Sequence, residues 1–209
     1  MSDTQEVDES NWMISTIEKG TLFLGSVYAA EDEEVIQEYQ IKSVLSILGY
    51  EVYLPSVIKE KKWIVLEDSS NENISSYFTE CFRFIDNAPK PVLVHCEMGV
   101  SRSATIVIGY LMYKGKTLKE AYEYVQQKRK NINPNNGFMY QLYKYSEELY
   151  PHNEETMLFI FNKYGRKDTV DKFIEGDKKK AESFVNLFSE CGFMWGNYFK
   201  KNITININK

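Results

Sequence analysis

The sequence predicts an α/β fold: a central, mostly parallel sheet flanked by helices, followed by a small C-terminal extension of α+β or strand-helix-strand type. Three observations carry this prediction. Short apolar stretches of strand length alternate with stretches of helical periodicity from residue 21 onward. Residues 91–94 are apolar throughout, as suits a strand covered on both faces. Residues 72–88 bear a long apolar stripe at helical spacing, the mark of a helix packed on such a sheet.

The elements follow in order. Residues 1–11 form an acidic tail. Residues 21–25 read as a short strand closed by Gly25, and 31–39 as a helix whose acidic first turn suits the helix dipole. Residues 43–48 and 62–66 are further strand-length stretches. Across 72–88, Ile74, Phe78, Cys81, Phe82 and Ile85 share one helical face, with Ser70 or Asn71 as N-cap. The strand at 91–94 opens with Pro91, where a missing N–H is tolerated. Residues 103–114 form a strongly apolar helix ended by Gly115, and Thr117 and Glu120 make a capping box for a helix reaching about Lys130. Lys128, Arg129 and Lys130 read as cations well placed at its C-terminus. Residues 131–137 form a turn, and 138–149 a helix with Phe138, Leu142, Tyr145 and Leu149 on one stripe. The main domain is expected over 12–150. In the extension, 151–209, the pattern suggests a strand at 156–161, a helix at 178–191 and one or two strands at 194–207, where Ile203, Ile205 and Ile207 alternate with polar residues.

The 209 residues, 43% hydrophobic and 26% charged, suffice for one core of ordinary size and exclude a disordered or fibrous composition. Lys and Arg number 25 against 30 Asp and Glu, and the net charge of −5 gives no overall attraction to nucleic acid or an anionic membrane. No apolar run approaches the roughly 18 residues of a membrane span, and Asp3, Glu6, Asp8 and Glu9 stand where a signal peptide would be basic. The expectation is a cytoplasmic protein, with the nucleus open to it as well. Cys81, Cys96 and Cys191 lie too far apart for a disulfide framework or a zinc-binding CxxC pair, so neither metal nor cofactor is expected. Cys81 falls on an apolar stripe and reads as a core residue, while nothing assigns a role to Cys191.

Chemistry concentrates between the strand at 91–94 and the helix that follows, in the run His95, Cys96, Glu97, Met98, Gly99, Val100, Ser101, Arg102, Ser103. A Cys at the C-terminal end of a buried parallel strand, followed by a short loop into a helix N-terminus, sits where α/β sheets hold ligands and where free N–H groups favour an anion or a thiolate. Cys96 is thus poised as a nucleophile, exposed and open to mild oxidation. Arg102 ends the loop, where its planar fork can hold two oxygens of a phosphoryl group, and Gly99 lets the backbone curl inward.

This run resembles the signature H-C-x-x-G-x-x-R-[ST] of the cysteine-dependent protein phosphatases. The resemblance covers about residues 12–150, through Leu22, Gly25, Ser26, Leu66, Asp68, Asp86, Tyr110, Pro134, Asn135, Gly137 and Phe138. Within that superfamily the string V-H-C-E-M-G-V-S-R-S-A-T is most similar to the dual-specificity branch that includes the MAP kinase phosphatases. The resemblance implies that Cys96 forms a phosphocysteine, that Arg102 clamps the phosphate within the loop 97–102, and that the Ser103 hydroxyl assists departure of the thiolate. It implies that Asp68, 28 residues before the nucleophile, is the general acid; Glu67 is the local rival, and on a strand the two carboxylates should point oppositely. His95 and Asn135 are implied as supporting residues, His95 orienting the Cys backbone and Asn135 bracing the loop.

The implied substrate is a phosphoprotein, a protein kinase among the candidates, bearing phosphotyrosine or phosphoserine/phosphothreonine in a shallow pocket. Glu97 in the loop disfavours inositides and polyphosphorylated RNA ends. A phosphopeptide-binding pseudophosphatase is the rival class, but such proteins lose the Cys or the Arg. Residues 151–209, outside the resemblance, are compatible with a module that binds a protein partner.

Overall fold

The computed structural model describes residues 12–151 and 153–164, and the fold set out here belongs to the first of two compact units, Met1–Phe159. At its centre a five-stranded sheet runs in the order β1-β2-β5-β3-β4, with β1 Ile14–Glu18, β2 Leu22–Gly25, β3 Ser43–Ile47, β4 Glu60–Ile64 and β5 Val92–His95. Only the β1–β2 pair is antiparallel, so the mostly parallel sheet is present as expected.

All four side chains of β5 are buried, because helices cover both faces. Pleating sends Leu93 to one face, level with Phe23 and Val44, where Ala29, Ala30, Val35 and Ile36 of α1 (Val27–Glu31) and α2 (Glu33–Glu38) close over it. Val92 and Val94 alternate to the opposite face, with Leu22 and Leu24 as their partners in register. The central helix α4 (Arg102–Tyr113) is buried from Arg102 to Met112 and packs against β2, β3 and β5. Around it lie α3 (Phe78–Asn87), α5 (Leu118–Lys128) and α6 (Asn136–Leu149). The capping box at Thr117 and Glu120 forms as read from the sequence, and Ile74, Phe78, Cys81, Phe82 and Ile85 are all buried.

Several boundaries differ from the sequence reading. β1 has no counterpart in it: its two buried residues, Ile14 and Ile17, are three apart, which breaks the alternation of a strand, and a register irregularity between Thr16 and Glu18 turns both inward. The helix expected at 31–39 is present as α2, Glu33–Glu38, and α1 before it was not expected; between them Asp32 keeps extended backbone, and its carboxylate accepts from Glu34 N at 2.9 Å and Val35 N at 3.2 Å, capping α2. A 3₁₀ turn, Ile74–Tyr77, precedes α3, and neither Ser70 nor Asn71 caps it. β4 begins and ends two residues before the expected 62–66, since its pairing with β3 closes at Ile47 and Ile64. Residues 156–161 are not a strand but belong to α7 (Glu154–Tyr164), where Asn153 Oδ1 accepts from Thr156 N at 2.8 Å in the manner of an N-cap. The elements expected at 178–191 and 194–207 lie outside the described residues. Among the described residues no helix is long and apolar enough to cross a membrane.

Candidate active site

The loop after β5 is shaped by where its carbonyls go. Glu97 O accepts from Val27 N at 3.0 Å and Val100 O from Asn133 N at 2.9 Å. Met98 O accepts from Arg129 Nη2 at 2.9 Å, and Gly99 O from Arg129 Nε at 2.8 Å. Ser101 O accepts from Thr105 N at 2.9 Å and Thr105 Oγ1 at 2.8 Å. In a trans peptide the N–H points opposite the preceding C=O. Five consecutive carbonyls held outward therefore turn the amides of residues 98–102 to the inside of the loop, a concavity for an anion. Ser101, at the N-cap position of α4, makes no side-chain cap, so no hydroxyl competes with an anion for the first-turn amides. Gly99 sits at φ +68°, and a Cβ there would lie 2.5 Å from Gly25 O, so both conformation and space require glycine.

Cys96 lies at the floor of this loop. It is 2% exposed, contrary to the exposed thiol expected, because the loop closes over a residue rooted at the end of a doubly covered strand. Ser103 Oγ donates to Cys96 Sγ at 3.1 Å. Arg102 is buried, and its Nη1 donates to Leu66 O at 3.1 Å. Its Nε is buried with no hydrogen-bond partner among the described residues, 4.0 Å from Asp68 Oδ2, a strong donor available to an oxyanion.

His95 is fully buried beneath the loop. Its Nδ1 lies 3.3 Å from Cys96 O, a contact only an N–H can satisfy, so Nε2 accepts from Ser46 Oγ at 2.7 Å; β3 and β5 set Ser46 beside His95 in register. Burial, reinforced by the Arg102 charge, pushes the imidazole pKa down to about 4 against an ordinary 6.5. A depressed base is neutral in the folded protein while the unfolded chain takes up a proton, so stability present above pH 6.5 is lost as pH falls towards 4. The expected loss is about 3 kcal/mol, on the scale of 1.36 kcal/mol per unit. Urea denaturation at pH 7 and pH 4.5 should show most of that difference in the wild type and a much smaller His-dependent part in His95→Asn.

Asp68 comes to the loop from the far side of the sheet, four residues past the end of β4. Its Oδ1 accepts from Ser101 Oγ at 2.7 Å and from Asn135 Nδ2 at 2.8 Å. Asn135 also donates its backbone N–H to Ser101 Oγ at 3.1 Å and caps α6 by accepting from Phe138 N at 2.9 Å. Asp68, Ser101, Arg102 and Asn135 thus form one cluster at the loop's edge. Glu67 is in loop rather than strand, and its carboxylate lies against Gly49, away from that cluster. The strand alternation expected to separate the two carboxylates does not apply; the loop separates them instead.

Three contacts here escaped the sequence reading. Arg129 is not a solvated cation at a helix end: it is 4% exposed and folded beneath the loop. The signal was present, since Leu118, Ala121, Tyr122, Val125 and Arg129 share the buried face of α5, while Lys128 and Lys130 lie off it. Gly137 admits the Asp68 loop, for a Cβ there would meet Ser70 O at 2.0 Å. Tyr50, half exposed, donates its hydroxyl to the Glu97 carboxylate, and that bond, more than burial, pushes the phenol up to about 12. Cys81 is buried in the core, and burial raises its thiol to about 12. Among the described residues no three His, Cys, Asp or Glu side chains are grouped to hold a metal ion.

Residues 22–148 match the family described as "Dual specificity phosphatase, catalytic domain". Over 134 residues the chain is 43% identical to dual specificity protein phosphatase 5 of Rattus norvegicus, an overlap of 62% of this chain and 35% of that protein. The chain thus spans about a third of that relative's length. Over 154 residues it is 36% identical to dual specificity protein phosphatase 1B of Arabidopsis thaliana, covering 71% of this chain and 90% of that one. The crystal structure of DUSP15 superposes with a TM-score of 0.62 at 29% identity, covering 65% of this chain and 88% of its own. With the cysteine-bearing loop after β5 inside the matched stretch and these likenesses in accord, the chain belongs to the dual specificity phosphatase family through the catalytic domain matched at residues 22–148.

Proposed function

We propose that this protein hydrolyses phosphotyrosine and phosphoserine or phosphothreonine esters on protein substrates through a phosphocysteine intermediate. The observation that carries the reading is the ring of outward carbonyls around Cys96, which presents five amides and the unpartnered Arg102 Nε to a phosphoryl group. The Cys96 thiolate attacks phosphorus as the P–O bond to the leaving group breaks. Asp68, carried at the loop's edge, gives its proton to the departing oxygen. In the second step the Asp68 carboxylate takes a proton from water, whose oxygen attacks phosphorus and releases phosphate. The S–P bond breaks, and Ser103 Oγ, already 3.1 Å from the sulfur, donates to the thiolate as it forms. Arg102 and the loop amides match the equatorial oxygens throughout.

Glu97, held at the loop by Tyr50, adds negative charge where a polyanionic headgroup would bring more, which favours a singly phosphorylated side chain. A protein kinase fits this description as one phosphoprotein among others. Purified protein should hydrolyse para-nitrophenyl phosphate and both a phosphotyrosyl and a phosphothreonyl peptide without added metal. Asp68→Ala protein should retain phosphoproteins from a lysate that phosphate or vanadate then elutes. Tight phosphopeptide binding with no turnover of any ester would replace this reading with that of a binding module.

A further inference from the structure

We propose that Arg129 is a positioning residue of the phosphate loop: its buried guanidinium holds the Met98 and Gly99 carbonyls outward and thereby aims the Gly99 and Val100 amides at the phosphoryl group. The inference rests on the reading of the loop as a phosphoryl site. Nη2 donates to Met98 O at 2.9 Å and Nε to Gly99 O at 2.8 Å, while Nη1 reaches Ser15 Oγ on β1 at 3.2 Å. The fork therefore grips two successive peptides from one side and is anchored to the sheet on the other. Backbone N–H groups hold the carbonyls of Glu97, Val100 and Ser101, so the two between Glu97 and Val100 depend on this one side chain.

Stability alone does not explain an arginine at this position. Its partners are all neutral, and no carboxylate lies within ion-pair distance of it among the described residues. A buried guanidinium without a counter-charge is costly, and an apolar side chain of similar length would avoid the cost. Burial pulls its pKa down, and Cys96 pulls it part of the way back. The fit is close: a Cβ on Gly99 would come within 2.8 Å of Nη2, so the glycine admits the guanidinium as well as the turn. The positive charge lies behind the peptides whose N–H groups face the anion, which strengthens those dipoles in the direction catalysis uses.

Orthovanadate, a mimic of the pentacoordinate transition state of phosphoryl transfer, tests this by calorimetric titration alongside thermal unfolding and aryl phosphate kinetics. Arg129→Met should weaken vanadate binding about tenfold and lower kcat/KM about a hundredfold, mostly in kcat, because amide alignment matters most in the transition state. Arg129→Lys keeps the charge but can reach only one carbonyl, and should fall between the two. Ser15→Ala loosens the sheet-side anchor alone and should bind vanadate within about twofold of wild type. Folded Arg129→Met protein with wild-type vanadate affinity would overturn the proposal. Should the Met variant fail to fold, the Lys variant decides: a wild-type melting temperature with weakened vanadate binding supports the positioning role, and wild-type affinity and kcat overturn it. Wild-type protein that binds no vanadate would instead remove the phosphoryl-site reading itself.

Discussion

Cys96→Ser is expected to lower aryl phosphate turnover by more than about a thousandfold while phosphate or vanadate binding remains measurable, the pattern of an enzyme that has lost its covalent step and kept its anion site. The geometry separates the two effects. Amides 98–102 are aimed by carbonyl contacts that do not involve the Cys96 side chain, and Arg102 is held by Leu66 O. What disappears is the sulfur nucleophile, since a serine hydroxyl is far less acidic than a thiol. Turnover above about a thousandth of wild type would remove Cys96 from the nucleophile role. Calorimetry with vanadate, run on the same preparation, shows whether the loop survived the change.

Asp68→Asn should depress kcat by about 10²- to 10⁴-fold on a poor leaving group such as an alkyl phosphoserine and much less on an activated aryl phosphate. An amide keeps the shape of the carboxylate, and its oxygen can still accept from Ser101 Oγ and Asn135 Nδ2, so the substitution removes the proton with little change in the cluster. The basic limb of the pH profile, which reports the protonated acid, should vanish with it. Glu67→Gln should leave both behaviours nearly intact, because that carboxylate lies against Gly49 and not at the loop. Equal losses on good and poor leaving groups, or a basic limb that follows Glu67, would assign the acid elsewhere.

How much of this could be read from the sequence depends on how local each contact is. Cys96, Gly99, Arg102 and Ser103 occupy one loop and the first turn of the helix it enters, a spacing that is itself the signal, and the strand before and the rest of the helix after follow from apolar runs. Asp68 was reached only through resemblance, since nothing within its own segment distinguishes it from Glu67. What makes it distinct, the hydroxyl of Ser101 and the amide of Asn135, lies 33 and 67 residues away. Arg129 was misread because two lysines flank it, and a run of three cations outweighed the helical period that places only the middle one inward. β1 was missed for a related reason: its register irregularity breaks the alternation by which strands are recognised. Local patterns were legible, and side chains defined by distant partners were not.

The strand order has a further consequence for how the protein fails when warmed. β5, which leads into Cys96, is hydrogen-bonded on both sides, by β2 and β3; β4, which leads towards Asp68, is bonded among the described residues only by β3 at the sheet's margin. Elements at a margin open locally at lower free energy than those at the centre. The two halves of the proposed chemistry are therefore expected to be unequally durable, with partial melting disconnecting Asp68 before it exposes Cys96. Over that interval the protein would still cleave activated aryl esters while losing alkyl ones, so a thermal inactivation curve measured with para-nitrophenyl phosphate would overstate the temperature to which it works on phosphoserine.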